Sequence, residues 1–209
     1  MRGPRAPRYN QPMRLLVATS NPDKLREIRH ILAGLPVEIV SLGAFPGVAP
    51  PAETGSTFAE NARAKATYYA EACDTIAVAE DSGLEIDALG GEPGVHSARF
   101  GGIVGGYPRK FEIIYERLRG RQSASSPARF VCALAVAHDR HVLFEARGVI
   151  EGRIADGPRG DGGFGYDPIF YYPPLGKTLA EIPEDQKAQV SHRGHAFRQL
   201  RAFLEKRAD

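Results

Sequence analysis

Arg14-Leu15-Leu16-Val17-Ala18 runs directly into Thr19-Ser20-Asn21-Pro22-Asp23-Lys24, and this junction decides the fold class. The first five residues form a short apolar run of the kind that makes a buried strand. Asn21 is a favoured helix N-cap, and Pro22 suits the first helical position, where its missing N–H costs nothing. Leu25, Ile28 and Leu32 recur at helical spacing, and Gly34 supplies a stop. Strand, polar turn and helix in this order open an α/β unit.

Outward from that junction the pattern continues. Val37 to Val40 predicts a second strand, and Phe45 to Thr54 a loop rich in Pro and Gly. Thr57 with Glu60 forms a capping box, so a helix is expected from Phe58 to Ala72. Ile76 to Ala79 is an apolar strand that should end at Glu80 and Asp81, with Ser82-Gly83 turning the backbone sharply. Leu84 to Leu89 alternates with period two, as a half-exposed strand does. A helix is expected over Pro108 to Arg119 and a polar linker over Gln122 to Pro127. Two long strands, Phe130 to Ala137 and Val142 to Ile154, should form a hairpin through His138–His141. Ile169 to Tyr172 predicts one more strand. Helices over 183–190 and from His192 to about Lys206 close the chain.

The chain has 209 residues, and its 27 basic and 25 acidic side chains leave a formal net charge of +2. That balance argues against binding nucleic acid through bulk charge, which takes a strongly basic domain. No apolar run approaches the ~20 residues of a membrane span, and no apolar core of a secretory signal is present. Cys73 and Cys132 have neither disulfide-framework nor metal-ligand spacing, and fit reduced, buried thiols of a cytoplasmic protein. Residues 1–13 carry three arginines and three prolines. They suit a disordered leader, or a start assigned too early with Met13 as the first residue, better than an organellar or RNA-binding arm. Residues 14–209 are expected to form a single domain.

Four polar stretches do not belong to a core. The turn Thr19 to Lys24 precedes a helix N-terminus, where free N–H groups and the dipole favour an anion. Lys24 sits there against the dipole, a conflict that a phosphate would relieve. Glu80 and Asp81 follow a buried strand, and strand carboxyl ends face the ligand crevice in α/β sheets. Adjacent acids repel unless a cation lies between them, and hard oxygen ligands suit Mg²⁺. Glu53 by itself is more simply a loop acid. In Gly160-Asp161-Gly162-Gly163-Phe164-Gly165-Tyr166-Asp167, the glycines permit close approach to a ligand, and Phe164 and Tyr166 offer rings for a base. Lys187 and the pair His192-Arg193 complete the set. Cations in the first turn of a helix call for a compensating negative or electron-rich partner.

Five motifs in order, TSNPDK, ETGSTFAENARAKA, AEDSGLEIDALGGEPGVHSARF, GDGGFGYDPIF and QKAQVSHRGHAF, resemble the noncanonical purine NTP pyrophosphatases of the Ham1/RdgB, or inosine triphosphatase, family. The likeness spans about Arg14 to Leu204. It implies an elongated, two-lobed α/β fold around a long mixed β-sheet flanked by helices. It implies hydrolysis of ITP, dITP and XTP to monophosphate and pyrophosphate, with Mg²⁺ and as a homodimer. Under the resemblance, Thr19, Ser20, Asn21, Pro22, Asp23 and Lys24 hold the triphosphate. Glu53, Glu80 and Asp81 serve the metal, and Asp81 accepts the proton. Ser82 touches the substrate, while Phe164, Gly165, Tyr166, Asp167, Lys187, His192 and Arg193 bind the nucleotide, chiefly its base. One stretch departs: Gly101 to Lys110, GGIVGGYPRK, stands where the family usually has a polar segment with paired asparagines.

Two rival functions are open to the sequence. One is a Maf-like pyrophosphatase acting on canonical or modified pyrimidine nucleotides. The other is a nucleotide-binding module without turnover.

Overall fold

The computed structural model describes residues 13–103, 106–122 and 125–208. In chain order the elements are β1 (Met13–Val17), α1 (Pro22–Ile31), β2 (Val37–Ser41), α2 (Phe58–Cys73), β3 (Ile76–Ile86), α3 (Tyr107–Gly120), β4 (Pro127–His138), β5 (His141–Ile154), β6 (Phe170–Tyr172), β7 (Lys177–Thr178), α4 (Glu184–Val190) and α5 (His192–Ala208). The strands form one sheet in the order β2-β1-β3-β4-β5-β6-β7. β1 is parallel to β2 and β3, and every other pairing is antiparallel, so the sheet is mixed as expected. Residues 1–12 of the leader, residues 104 and 105 of the atypical segment, and residues 123 and 124 of the linker lie outside the described residues.

Local chemistry starts the helices where the sequence says. Asn21 Oδ1 accepts from the backbone N–H groups of Asp23 (2.9 Å) and Lys24 (3.2 Å), which caps α1. Thr57 and Glu60 make the reciprocal capping box of α2. Ser191 Oγ accepts from Gly194 N–H at 3.0 Å and so caps α5.

The core divides along the sheet. α2 presents Ala62, Ala66 and Ala70 to Ala77, Ala79, Ala133 and Ala135, small residues that let helix and sheet approach closely. On the opposite face Ile28 and Leu32 of α1, with Phe197 and Leu200 of α5, cover Leu15, Val17, Val78 and Leu134. Further along β3 and β4, Leu84, Ile86 and Phe130 pack with Phe111, Ile114 and Leu118 of α3. Side chains alternate along a strand, so Val78, Glu80, Ser82 and Leu84 share a face. Glu80 and Ser82 therefore open a polar gap between two apolar clusters.

β3 differs from expectation. It is one strand of eleven residues, not two strands broken at Ser82-Gly83. Glu80 pairs with Leu134 and Asp81 with Ala133 in the middle of the ladder. Gly83 serves a close approach and not a turn. A Cβ there would overlap Ser97 Oγ and stand 2.6 Å from the carbonyl oxygen of Gly94. Gly83 thus lets the Gly94–Gly102 segment lie on the strand.

Candidate active site

A cleft of about 290 Å³ opens over the polar gap on β3. Thr19, Ser20, Asn21 and Lys24 line one end with Glu53 and Lys65. Phe164, Lys187, His192 and Arg193 line the other, with Glu80 and Ser82 between. Glu53 lines the same cleft as Lys187 and Arg193, and Glu53 and Asp81 converge on Lys65.

Three carboxylates and three cations form a connected network. Lys24 Nζ lies 2.6 Å from Glu80 Oε1 and donates to Ser82 Oγ at 3.1 Å. Arg193 Nη2 reaches Glu80 at 3.3 Å and Ser82 Oγ at 3.2 Å, while its Nη1 donates to Glu27 Oε2 at 2.7 Å. Lys187 Nζ bridges Glu27 Oε1 (2.7 Å) and Asp167 Oδ2 (2.6 Å). The Cys132 thiol donates to Glu80 Oε2 at 3.1 Å. Burial opposes ionisation of Glu80 and Glu27. Arg193 acting with Lys24 on the first, and with Lys187 on the second, nonetheless holds both below the usual carboxylate range. Burial raises the Asp167 carboxyl against the pull of Lys187.

The second group lies on the other side of β3. Lys65 Nζ sits 2.8 Å from Glu53 Oε1 and 3.3 Å from Asp81 Oδ1. Asn61 Nδ2 donates to Asp81 Oδ2 at 3.0 Å, and Asn61 Oδ1 accepts from Gly55 N–H at 2.8 Å. Arg99 reaches Glu53 at 3.4 Å. Burial raises the Asp81 carboxyl despite Lys65 and Asn61. This arrangement corrects the expected acid pair. Glu80 and Asp81 are consecutive on a strand, so their side chains leave opposite faces and do not share one ion. Glu80 is neutralised by Lys24 and Arg193, and Lys65 occupies the place between Glu53 and Asp81. Among the described residues no group of three or more His, Cys, Asp or Glu side chains stands ready to hold a metal.

The glycine-rich loop works differently from its expected role. Gly160 and Gly162 approach the backbone of Ala180, and Gly163 approaches the Asp167 carboxylate, which accepts from Phe164 N–H at 2.8 Å. Gly160 and Gly162 therefore seat the loop against the Ala180 backbone, and Gly163 folds it on itself. Phe164 lies beneath two cations, with Lys187 Nζ at 4.6 Å and Arg193 at 5.5 Å from its centroid. Tyr166 is only 3% exposed and donates through its hydroxyl to Ser97 O at 2.8 Å, so it braces the loop and offers no free stacking face. His192 stacks on Phe130 at 4.8 Å and 12°. Burial, then Arg193, depresses its pKa far below the usual value, so it is a neutral ring and not the extra cation expected.

The structure brings together Thr19, Ser20, Asn21, Lys24, Glu53, Glu80, Ser82, Phe164, Gly165, Tyr166, Asp167, Lys187, His192 and Arg193 around the cleft. It does not bring in Pro22 and Asp23. Pro22 starts α1 and lines a neighbouring groove that shares Thr19, Ser20 and Asn21 with the cleft, and Asp23 pairs with Arg26 at 2.9 Å. Asp81 stands just behind the lining, against Lys65. Sequence reasoning missed Glu27, Asn61, Lys65, Tyr107 and Cys132. Asn61 and Lys65 carry a signal, two polar residues one turn apart on an otherwise Ala-rich helix face. Glu27 is one of four charged residues from Lys24 to Arg29 and carries none.

The turn at the start of α1 and the buried cations Lys187 and Arg193 thus line one cleft on the same face of a mixed sheet, in a protein of the α/β class. The Ham1 family model matches residues 15–203, and the chain belongs to the Ham1 family. A dITP/XTP pyrophosphatase of Exiguobacterium sp. is 46% identical over 192 residues, covering 92% of this chain and 97% of that relative. A dITP/XTP pyrophosphatase of Thermus thermophilus is 47% identical over 193 residues, covering 92% of this chain and 91% of that relative. A Ham1 protein from Coxiella burnetii has a solved structure that superposes with a TM-score of 0.86 at 37% identity, covering 93% of this chain and 99% of that one.

Proposed function

We propose that this protein hydrolyses noncanonical purine nucleoside triphosphates, ITP, dITP and XTP, to the monophosphate and pyrophosphate, and so cleanses the nucleotide pool. The observation that carries this is the single cleft joining the Asn21–Lys24 turn to Phe164, Lys187 and Arg193. A capped helix N-terminus with a lysine in its first turn receives phosphates. Phe164 offers a ring for the base, and Lys187 and Arg193 have only donors, which suit a 6-oxo group and cannot accept from a 6-amino group.

In the reaction, the oxygen of a water attacks the α-phosphorus. The bond to the bridging oxygen breaks, and pyrophosphate leaves with the electron pair. Asp81 takes the water's proton. Its raised carboxyl value moves it toward the range useful to a general base. Before substrate arrives, Asn61 and Lys65 hold the two oxygens of Asp81, and Ser82 faces the cleft from its middle. Glu53 and Asp81 already converge on one ammonium, the geometry of two carboxylates sharing a cation, so this donor set fits Mg²⁺ held mostly by water and phosphate. When bound, Mg²⁺ would screen the phosphate oxygens and orient them. A homodimer, a cytoplasmic setting and one catalytic unit over residues 14–209 belong to the same reading. Among the described residues no helix is long and apolar enough to cross a membrane.

The test is pyrophosphate release from ITP, dITP, XTP, dGTP, dATP, dTTP and UTP, each with and without Mg²⁺. Preference for ITP, dITP and XTP, lost without Mg²⁺, is expected. Preference for dTTP or UTP would favour a Maf-like activity, and binding without turnover a nucleotide sensor.

A further inference from the structure

One cation at the phosphate end of the cleft has no part in the proposed reaction. Arg99 follows Ser97 and Ala98, which line the cleft, and the backbone that carries it is firmly mounted. Ser97 Oγ accepts from Leu84 N–H at 3.0 Å and donates to Gly94 O at 2.7 Å. Ser97 O accepts from the Tyr166 hydroxyl at 2.8 Å, and Ala98 O accepts from the buried Lys110 Nζ at 2.6 Å. Phe100, on the other side, is buried in the core beside α3. Between these anchors Arg99 turns outward. Among the described residues its guanidinium makes one hydrogen bond, from Nη1 to Glu53 Oε2 at 3.4 Å, so Nε and Nη2 have no protein partner.

Asp81, Lys65, Glu53 and Arg99 form a line. Lys65 Nζ joins Asp81 Oδ1 to Glu53 Oε1, and Arg99 takes the other oxygen of Glu53. Side-chain exposure rises along it, from 9% at Asp81 to 44% at Arg99. The line therefore runs from the interior to the mouth, while Lys187 and Arg193 are buried at the other end of the cleft. In the proposed reaction the base lies at that buried end and Asp81 serves the α-phosphorus. A triphosphate so placed carries its β- and γ-phosphates outward, past Lys65 and Glu53. We infer that Arg99 is a pyrophosphate-binding residue: its unused donors take the β- and γ-phosphates and answer the charge that gathers on them as the bond to the α-phosphorus breaks. A guanidinium matches phosphate oxygens with two parallel N–H donors, and Nε with Nη2 is such a pair. Arg99 can therefore grip the leaving group without first letting go of Glu53.

This inference rests on the proposed pyrophosphatase reading, and one experiment separates the two. Calorimetry measures the binding of IMP and of magnesium pyrophosphate, the two products of ITP, to the parent, Arg99→Gln and Arg99→Lys. Arg99→Gln should weaken pyrophosphate binding about tenfold, the low end for a hydrogen bond to a charged group because Arg99 is half-exposed, and leave IMP binding within about twofold. Arg99→Lys keeps a cation without the fork and should lose less. KM for ITP should rise in the same order. IMP binding is the internal control, since a variant that fails to fold loses both ligands. Parent-like pyrophosphate binding in Arg99→Gln would overturn the role of Arg99, and so would an equal loss of IMP and pyrophosphate in that variant. A pyrophosphate defect that vanishes when Mg²⁺ is raised would also overturn it, since Arg99 would then act only through Glu53. A parent that releases no pyrophosphate from ITP would instead defeat the pyrophosphatase reading itself, and the inference with it.

Discussion

Glu27→Gln tests the buried charge network most directly. Glu27 has 7% of its side chain exposed and is the shared partner of Lys187 (5%) and Arg193 (2%). The network holds three carboxylates, Glu27, Glu80 and Asp167, against three cations, Lys24, Lys187 and Arg193. Glutamine keeps the shape and removes the charge, leaving one buried cation in excess. Removing one partner of a buried pair costs about 3–5 kcal/mol. For a domain of this size that lowers Tm by about 6–20 °C. The assay is thermal unfolding followed by circular dichroism. The pH dependence supplies a second readout. Glu27 is held below the ordinary value of 4.5, so its contribution is present above that value and is lost as pH falls through its lower folded value. The gap between parent and variant should therefore be full near pH 7 and narrow below about pH 4. A Lys187→Met change added to Glu27→Gln restores the charge balance and should recover part of the loss. A single variant melting within about 2 °C of the parent at pH 7, less than the smallest shift expected for a lost buried pair, would refute the network's role in holding these cations.

Asp81→Asn should retain nucleotide binding by calorimetry and lose about 10²- to 10⁴-fold in turnover, the usual range for a general base; pyrophosphate release near the parent rate would remove Asp81 from the chemistry. Gly148→Ala should destabilise by about 1–3 kcal/mol as overpacking does, because the new Cβ would overlap the carbonyl oxygen of His192 and stand 2.6 Å from Ala196 N. Its KM should rise, since α5 carries Arg193; an unchanged Tm and KM would show that the helix does not depend on this close approach. For the parent alone, Tm should fall as pH drops below about 4.5, because both Glu27 and Glu80 are held low in the folded state. A flat profile from about pH 7 to 3 would contradict those depressed values.

Much of this architecture is written locally. Asn21 and Pro22, Thr57 and Glu60, and Ser191 each carry a helix start within three or four residues, so the chain announces α1, α2 and α5 by itself. The hairpin of β4 and β5 is equally plain. β3 is not, because Glu80 and Asp81 interrupt an apolar run where charge normally marks a strand end. Both are tolerated inside the strand by partners that are remote in sequence: Lys24 and Arg193 for Glu80, Asn61 and Lys65 for Asp81. The same remoteness hid Glu27. Its burial depends on α4 and α5 returning to cover α1, which no periodicity within α1 encodes. The motif positions were readable as polar residues out of place, but their pairing required the fold.

That pairing gives an electrostatic reason for a divalent ion. On the Glu80 side three carboxylates already answer three cations. On the Asp81 side Glu53 and Asp81 answer Lys65 and Arg99. The side chains thus satisfy one another and leave no surplus positive charge in the cleft. A triphosphate brings several negative charges, and transferring them to a partly dry cleft without compensation is costly. The dipole of α1 offsets only a fraction of one charge, and the N–H groups of Asn21, Asp23 and Lys24 already donate to Thr19 Oγ1 and Asn21 Oδ1. The remainder must arrive with the substrate, and a phosphate-bound Mg²⁺ is the ordinary carrier. Lys65 is the side chain placed to yield. It stands between Glu53 and Asp81, and moving its ammonium toward the phosphates would free both carboxylates for the metal while turning its own charge to the substrate.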